Sequence, residues 1–162
     1  MGKHNDREID FVVQKSIISI FLFLAILFGQ EADSQYPHCL NITKYVYENI
    51  HSLNNDSLAV FFKQFSIEQN KNNIEFLEWG NEILFLVLEK KPTQFFETLF
   101  LLKESEIKSV EGEINSPVND GINMIKIFKE IENGKMDAKI KTRALNFLRP
   151  AYDSYKRMTK DE

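Results

Sequence analysis

The sequence has few of the residues that support metal, disulfide or redox chemistry. Its 162 residues contain one cysteine, Cys39, and three histidines, His4, His38 and His51. A lone cysteine excludes an intramolecular disulfide framework and every zinc or iron–sulfur site that needs several thiolates. On a straight helix, His38 and His51 would lie about 20 Å apart at 1.5 Å per residue, too far to share a metal. We therefore expect no metal and no cofactor.

The short motifs of common enzyme families are also absent. The chain has no Walker loop, no GxGxxG, no HExxH and no GxSxG. Cys39 has only the neighbouring His38 at hand as a general base, which is a weak indication of a nucleophile. Pairs of glutamates on one helix could act as acid and base in glycoside hydrolysis, but any acidic helix offers such pairs. We therefore predict that the protein is not an enzyme.

An excess of positive charge is missing as well. Lysine and arginine number 20 against 24 aspartate and glutamate residues, which gives a formal net charge of -4. Proteins that bind nucleic acid through its phosphates need clustered lysine and arginine in excess. The composition therefore predicts no nucleic-acid partner.

The longest hydrophobic run lies near the N-terminus, from Ser16 to Gly29, and carries no charge. It is shorter than the roughly 20 residues that span a bilayer and matches the roughly 7 to 15 apolar residues of a signal peptide. Ala32 and Ser34 place small residues at the -3 and -1 positions for cleavage before Gln35. We predict a signal peptide or signal anchor over residues 1–34 and a single exported domain over residues 35–162.

Besides a cleaved signal peptide, two interpretations of this run remain open. It is a retained membrane anchor if Lys15 reaches the lipid headgroups, or a core helix of a soluble protein. For either membrane-directed interpretation, the nearest basic residue on the far side is Lys44, so the positive charges keep the N-terminus cytoplasmic. We therefore predict an extracytoplasmic body that is periplasmic, secreted or anchored facing outward. It would contact the membrane only through the N-terminal segment, if that segment is not cleaved.

Apolar residues in the body recur at spacings of three and four, which predicts an all-α fold. We expect about six short helices, paired as antiparallel hairpins in an irregular bundle or a short stack of helical repeats. Their expected starts are marked by capping or first-turn residues, namely Pro37, Asn54–Asp56, Asn72 or Asn73, Pro92, Ser116–Pro117 and Asp137.

Glycine, proline and weak apolar periodicity predict where three of the helices weaken or end. The fourth helix is expected to weaken over residues 104–114. Asn133 and Gly134 are expected to form a left-handed stop, and Pro150 is expected to kink or end the last helix near Arg149.

The third predicted helix carries an acidic stripe beside apolar residues. At about 100° per residue, Glu75, Glu78, Glu82 and Glu89 lie within about 60° of one another, and Trp79 and Leu86 flank them. Asn81 projects to the apolar side, where it needs a hydrogen-bond partner if buried. The candidate partner-binding surface, hereafter the acidic stripe, comprises Glu75, Glu78, Trp79, Glu82, Leu86 and Glu89. It suits a basic, partly apolar protein partner, although a solvated helix edge has the same pattern.

Positive charge collects at the other end of the body. Residues 64–117 contain 10 acidic and 5 basic side chains, whereas residues 118–162 contain 7 acidic and 10 basic ones. The basic end comprises Lys135, Lys139, Lys141, Arg143, Arg149, Lys156 and Arg157. It is either a solvated face or a surface for anionic lipid headgroups or a partner.

The sequence favours a non-enzymatic, exported or envelope-attached module for protein–protein interaction, of the inhibitor or immunity type. The alternative is a carrier that holds an apolar ligand or lipid in a cleft lined by phenylalanines. The rings considered for that cleft are Phe61, Phe62, Phe65, Phe95, Phe96 and Phe100.

Overall fold

The computed structural model describes residues 37–119 and 121–159. This part contains seven α-helices and no strand, which confirms the predicted all-α class. The helices are α1 (His38–Glu48), α2 (Asn55–Gln64), α3 (Ile74–Lys90), α4 (Pro92–Leu99), α5 (Glu104–Asn115), α6 (Met124–Asn133) and α7 (Ala138–Met158), with a 3-10 helix over Glu68–Asn72.

The predicted signal or anchor over residues 1–34 lies outside the described residues. Across the ranges that are described, none of the helices has both the length and the hydropathy needed to cross a bilayer.

Side-chain caps set the starts of four helices. The Asn54 side chain accepts from the Ser57 N–H at 2.8 Å, and Asn73 accepts from Phe76 at 3.0 Å. Before α6, Asn123 accepts from the Lys126 N–H at 2.9 Å. Asp137 accepts from Lys139 and Ile140 at 3.0 and 3.1 Å. Each cap satisfies backbone donors that a helix start leaves without a partner, and those at Asn54, Asn73 and Asp137 confirm the sequence prediction.

Helix α5 corrects the expectation of a weakened segment over residues 104–114. This segment is a complete helix whose Ile107, Val110 and Ile114 are buried. Its start is fixed by the Lys103 backbone N–H, which donates to Glu106 Oε2 at 2.9 Å. The prediction was wrong because four acidic residues obscure the three apolar positions, although these have the three- and four-residue spacing of a helix.

The start of α6 is also later than expected. The helix begins at Met124 and not at Ser116–Pro117, and Val118 is 49% exposed. The reason is that the intervening residues form other bonds. The Val118 N–H donates to the side chain of Asn81 at 3.2 Å, and the Gly121 N–H donates to Asn119 Oδ1 at 2.8 Å.

The ends of the last two helices differ from the prediction in part. Helix α6 ends at Asn133 as expected, but Gly134 has a φ of -69°, so the left-handed stop expected there is absent. Helix α7 continues through Pro150 to Met158 and does not end near Arg149. Proline removes the N–H that would bond to the Asn146 carbonyl; since both residues are exposed, water can satisfy that oxygen.

The core contains a chain of contacting phenylalanine rings that joins α2, α3 and α4. Consecutive ring centroids along it are 4.8 to 6.1 Å apart, as in favourable tilted and edge-to-face pairs. The rings are those of Phe61, Phe62, Phe65, Phe76, Phe95 and Phe96, all at most 4% exposed. Helix α3 contacts α1, α4 and α5, and α7 contacts α4, α5 and α6.

A candidate interaction surface on helix α3

Helix α3 is buried around most of its circumference and exposes one edge. Its apolar side chains Phe76, Leu84 and Leu88 have no measurable exposure, whereas Glu75 and Glu78 are exposed. Glu82, at the middle of the helix, is exposed too. The acidic edge therefore faces solvent, as the helical spacing indicated.

The carboxylates of the acidic stripe differ in their ionic partners. Glu89 Oε1 lies 3.1 Å from Lys126 Nζ, and this hydrogen bond and charge raise the pKa of Lys126. Among the described residues, no lysine, arginine or histidine forms an ion pair with Glu75, Glu78 or Glu82. Three negative charges of the stripe are thus available to another molecule, and the fourth is already compensated.

The two apolar members of the stripe are less accessible than the sequence suggested. Trp79 and Leu86 are half-buried and pack against the core. Each therefore exposes only part of its side chain beside the carboxylates. A partner would find apolar contact area there, but no aromatic side chain that projects from the surface.

The stripe continues into an open groove between α3 and the start of α6, hereafter the α3–α6 groove. Its volume is about 300 Å³. The residues that line it are Glu82, Phe85, Leu86, Glu89, Asn119, Gly121, Ile122, Asn123, Lys126 and Ile127. Apolar side chains therefore lie in the groove beside the Glu82 carboxylate, and Lys126 supplies the cation that pairs with Glu89.

A buried amide holds the two walls of this groove together. Asn81 is fully buried, and its Nδ2 donates to the Glu113 backbone oxygen at 3.0 Å and to Glu113 Oε2 at 3.1 Å. Its Oδ1 accepts from the Val118 N–H at 3.2 Å. The structure thus supplies the partners that a buried Asn81 needs. One side chain fixes α3 to the end of α5 and to the segment that leads to α6.

Sequence reasoning missed Glu113, which faces Asn81 from a helix that was expected to be weak. Burial raises the pKa of the Glu113 carboxyl, and the hydrogen bond from Asn81 opposes this shift. Once residues 104–115 are recognised as a helix, the place of Glu113 next to the buried Ile114 indicates that its side chain lies near the core. No sequence signal pairs it with Asn81, because the two residues lie 32 positions apart.

The cysteine and histidines considered for chemistry lie on α1 and in the turn that follows it. Cys39 is buried at the start of α1, where Asn73 Nδ2 lies 3.8 Å from its sulfur, and burial raises the pKa of its thiol. His38 and His51 are exposed. Over residues 37–119 and 121–159, no group of three or more histidine, cysteine, aspartate or glutamate side chains is placed to hold a metal ion.

The basic end of the chain forms a second charged surface on α7. This helix contains six basic residues and one acidic one, and none of the ion pairs found in the described residues includes its side chains. Arg143 lies 4.0 Å from the Phe100 ring centroid, and Arg149 lies 4.6 Å from that of Phe128. Aromatic rings therefore support these cations without neutralising them.

Two further clefts are present, and phenylalanine does not line them. An open cleft of about 660 Å³ lies between α6 and the end of α7, and another of about 340 Å³ lies between α1 and α2. The six rings considered for a carrier line neither of these clefts nor the α3–α6 groove.

Comparison of the chain with protein-family models, with curated proteins and with solved structures finds no significant match.

Proposed function

We propose that the protein is an exported, non-enzymatic module that binds another protein through the acidic stripe and the α3–α6 groove. The observation that carries the proposal is the set of three exposed carboxylates without an ion pair, beside apolar side chains that an open groove leaves accessible. An inhibitor or immunity-type protein acts in this way, by occupying a surface and without a cofactor.

The spacing of the charges supports a partner that is basic. Glu75, Glu78 and Glu82 follow one another at three- and four-residue intervals on one edge of α3. Like charges at such spacings destabilise a helix by about 0.2–0.5 kcal/mol per pair. A cationic partner would remove this repulsion, so complex formation would stabilise α3 as well as the interface.

The groove indicates where the parts of such a partner would lie. Lys126 pairs with Glu89 and repels further cations from that end of the groove. The partner's basic side chains would therefore contact Glu75, Glu78 and Glu82, and an apolar side chain would enter the groove beside Leu86. We propose a basic partner with at least one apolar residue at its centre.

The exported location is a separate part of the proposal and rests on the sequence of residues 1–34. N-terminal sequencing of the native protein, together with fractionation of the source cells, tests it. A chain that begins at Gln35, or a full-length chain in the membrane fraction, would support export. Full-length protein found in the cytosol would contradict it.

We favour this function over the carrier function because of the phenylalanine packing. Phe61, Phe62, Phe95 and Phe96 have no measurable exposure, and each ring contacts another at 4.8 to 6.1 Å. The space between α2 and α4 is thus filled by the rings themselves. An apolar ligand would have to separate them, at the cost of contacts that now stabilise the core.

Site-specific photocrosslinking tests the proposed surface. Ile74 is 71% exposed and one helical turn from Glu78, so a benzoylphenylalanine at position 74 leaves the core intact and lies beside the acidic stripe. In the full-length chain, expressed in its source, we expect an adduct that disappears when Glu78→Lys and Glu82→Lys are combined.

A matched control uses two exposed glutamates on other helices. Glu97→Lys and Glu132→Lys make the same change of charge on α4 and α6 and should leave the adduct unchanged. The melting temperatures of both double variants should equal that of the parent chain. An adduct that survives reversal of Glu78 and Glu82, or one lost equally in the control, would exclude the acidic stripe as the binding surface.

A further inference from the structure

The two charged surfaces of this chain have matching charge spacings. Glu75 and Glu82 lie seven residues apart on α3, and Arg149 and Lys156 lie seven residues apart on α7. Seven residues are close to two helical turns, so each pair shares one side of its helix with a separation of about 10.5 Å. All four side chains are exposed, and none forms an ion pair with another described residue.

We propose that the basic partner of the acidic stripe is a second copy of this chain, which docks the Arg149–Lys156 side of its α7 against Glu75 and Glu82. This inference rests on the proposed function of the stripe and names its partner. Each carboxylate faces one cation of the neighbouring copy. The remaining stripe glutamate, Glu78, lies between the two contacts.

The net charges of the two helices support this pairing. Helix α3 contains four acidic residues and one basic residue, whereas α7 contains six basic residues and one acidic residue. Opposite potentials of this kind steer association and select the relative orientation of the two surfaces. Two copies that approach with α3 facing α7 attract each other, and copies that approach with identical faces repel each other.

The cations on α7 are also held in place before any contact forms. Arg149 lies 4.6 Å from the Phe128 ring centroid and 5.7 Å from that of Tyr152. Lys156 lies 5.7 Å from the centroid of the same Tyr152 ring. Because these rings restrict both side chains, docking costs less conformational entropy than it would for unsupported lysines and arginines.

Apolar contact is available between the charges on both helices. Tyr152 lies between Arg149 and Lys156 and is half-buried, and Trp79 lies between Glu75 and Glu82 in the same state. The exposed parts of these two rings would meet at the centre of the contact, with the ion pairs on either side. An aromatic centre with a polar rim is the usual arrangement of a specific interface.

The shape of the surfaces fits a helix that docks along another helix beside a groove. Helix α7 is the longest described helix, with 21 residues and a length of about 31 Å. The α3–α6 groove next to Glu82 is an open concavity of about 300 Å³. Because the two patches differ, a single contact leaves an α3 surface on one copy and an α7 surface on the other, which a symmetric dimer, a ring or a filament would fill.

The test uses two full-length variants with reversed charges, one with Glu75→Lys and Glu82→Lys and the other with Arg149→Glu and Lys156→Glu. In mild detergent, sedimentation velocity should show self-association of the parent chain that weakens between about 10 and 150 mM salt, as the Debye length falls from about 30 to 8 Å. Each variant alone should associate at least about tenfold more weakly, which corresponds to about 1.4 kcal/mol.

Mixing the two variants distinguishes complementary contact from a general effect of charge. The reversed α3 of one variant is then complementary to the reversed α7 of the other, so an equimolar mixture should regain the association of the parent chain. A control with Lys63→Glu and Lys108→Glu, exposed cations on α2 and α5, should associate like the parent. If a charge-reversed variant melts early, glutamine at the same positions should still weaken association.

A parent chain that stays monomeric at low salt, or a mixture that associates no better than its components, would overturn self-association. The crosslinking experiment separates this failure from failure of the proposed function. An adduct between position 74 and a different protein, sensitive to Glu78→Lys and Glu82→Lys, would support the acidic stripe with another partner. An adduct with a second copy would support both inferences.

Discussion

Replacing Asn81 with alanine should destabilise the domain more than any other single change to a polar side chain of α3. The wild-type amide is fully buried and takes part in hydrogen bonds to the Glu113 oxygen atoms and to the Val118 N–H, at 3.0, 3.1 and 3.2 Å. Alanine removes all of these bonds and leaves the other groups without their partner on α3.

The expected magnitude follows from the number of bonds lost. A typical intramolecular hydrogen bond contributes about 1 kcal/mol net, so the three bonds of Asn81 correspond to about 3 kcal/mol of the free energy of unfolding. For a chain of this size, such a loss lowers the melting temperature by about 6–12 °C. The effect should be on stability and not on the exposed charges of the stripe.

Urea unfolding followed by circular dichroism measures the loss directly. Asn146→Ala is the matched control, because Asn146 is exposed on α7 and alanine favours a helix at such a site. We expect Asn146→Ala to leave stability unchanged or slightly higher. In Asn81→Ala, the amide proton of Val118 should also exchange faster with solvent than in the parent chain.

A decrease of less than about 1 kcal/mol for Asn81→Ala would refute this reasoning. It would mean that the three bonds contribute no more than water does in their place. The attachment of α3 to the end of α5 would then have to come from apolar packing, mainly that of Ile114 and its neighbours.

Three further changes have definite expected outcomes. Thr98→Val should raise the unfolding free energy by about 1 kcal/mol, because the buried Thr98 hydroxyl has no hydrogen-bond partner among the described residues. The raised pKa of Glu113 means that the folded state holds this proton more tightly than the unfolded state, so the stability of the parent chain should fall as pH rises above the ordinary glutamate pKa of 4.5. Glu113→Gln should remove this pH-dependent loss of stability. Asp137→Ala should cost about 1 kcal/mol by removing the cap of α7. Urea unfolding measures all three effects, and for Glu113→Gln it is repeated from pH 4 to 8. Three results would contradict these arguments: a decrease in stability for Thr98→Val, a pH profile for Glu113→Gln equal to that of the parent chain, and an unchanged stability for Asp137→Ala.

Local signals in the sequence were sufficient for much of the fold. The helical class, the caps at Asn54, Asn73 and Asp137 and the exposed edge of α3 all depend on residues within one or two turns of each other. Their physical causes are capping bonds and the 3.6-residue period, and both can be read along the chain. Those predictions are confirmed by the structure.

The errors occurred where a distant residue decides the local conformation. Residues 116–123 look like a helix start, but the Val118 N–H bonds to Asn81, 37 positions earlier. Pro150 was expected to kink or end the last helix, but Asn146 and Pro150 are exposed, so water can replace the lost hydrogen bond and α7 continues to Met158. Likewise, only the folded chain shows that Lys126 compensates Glu89 and leaves the other stripe carboxylates without an ion pair.

The buried position of Cys39 makes it a natural reporter of local opening. It is the single cysteine of the chain, it is 1% exposed, and it sits in the first turn of α1 against Asn73. An alkylating reagent can reach the sulfur only when this turn separates from α3. When closing is faster than alkylation, the labelling rate relative to that of an unfolded cysteine gives the free energy of that separation. A chain with one thiol therefore allows the free energy of opening its first described helix to be measured without any amino-acid substitution.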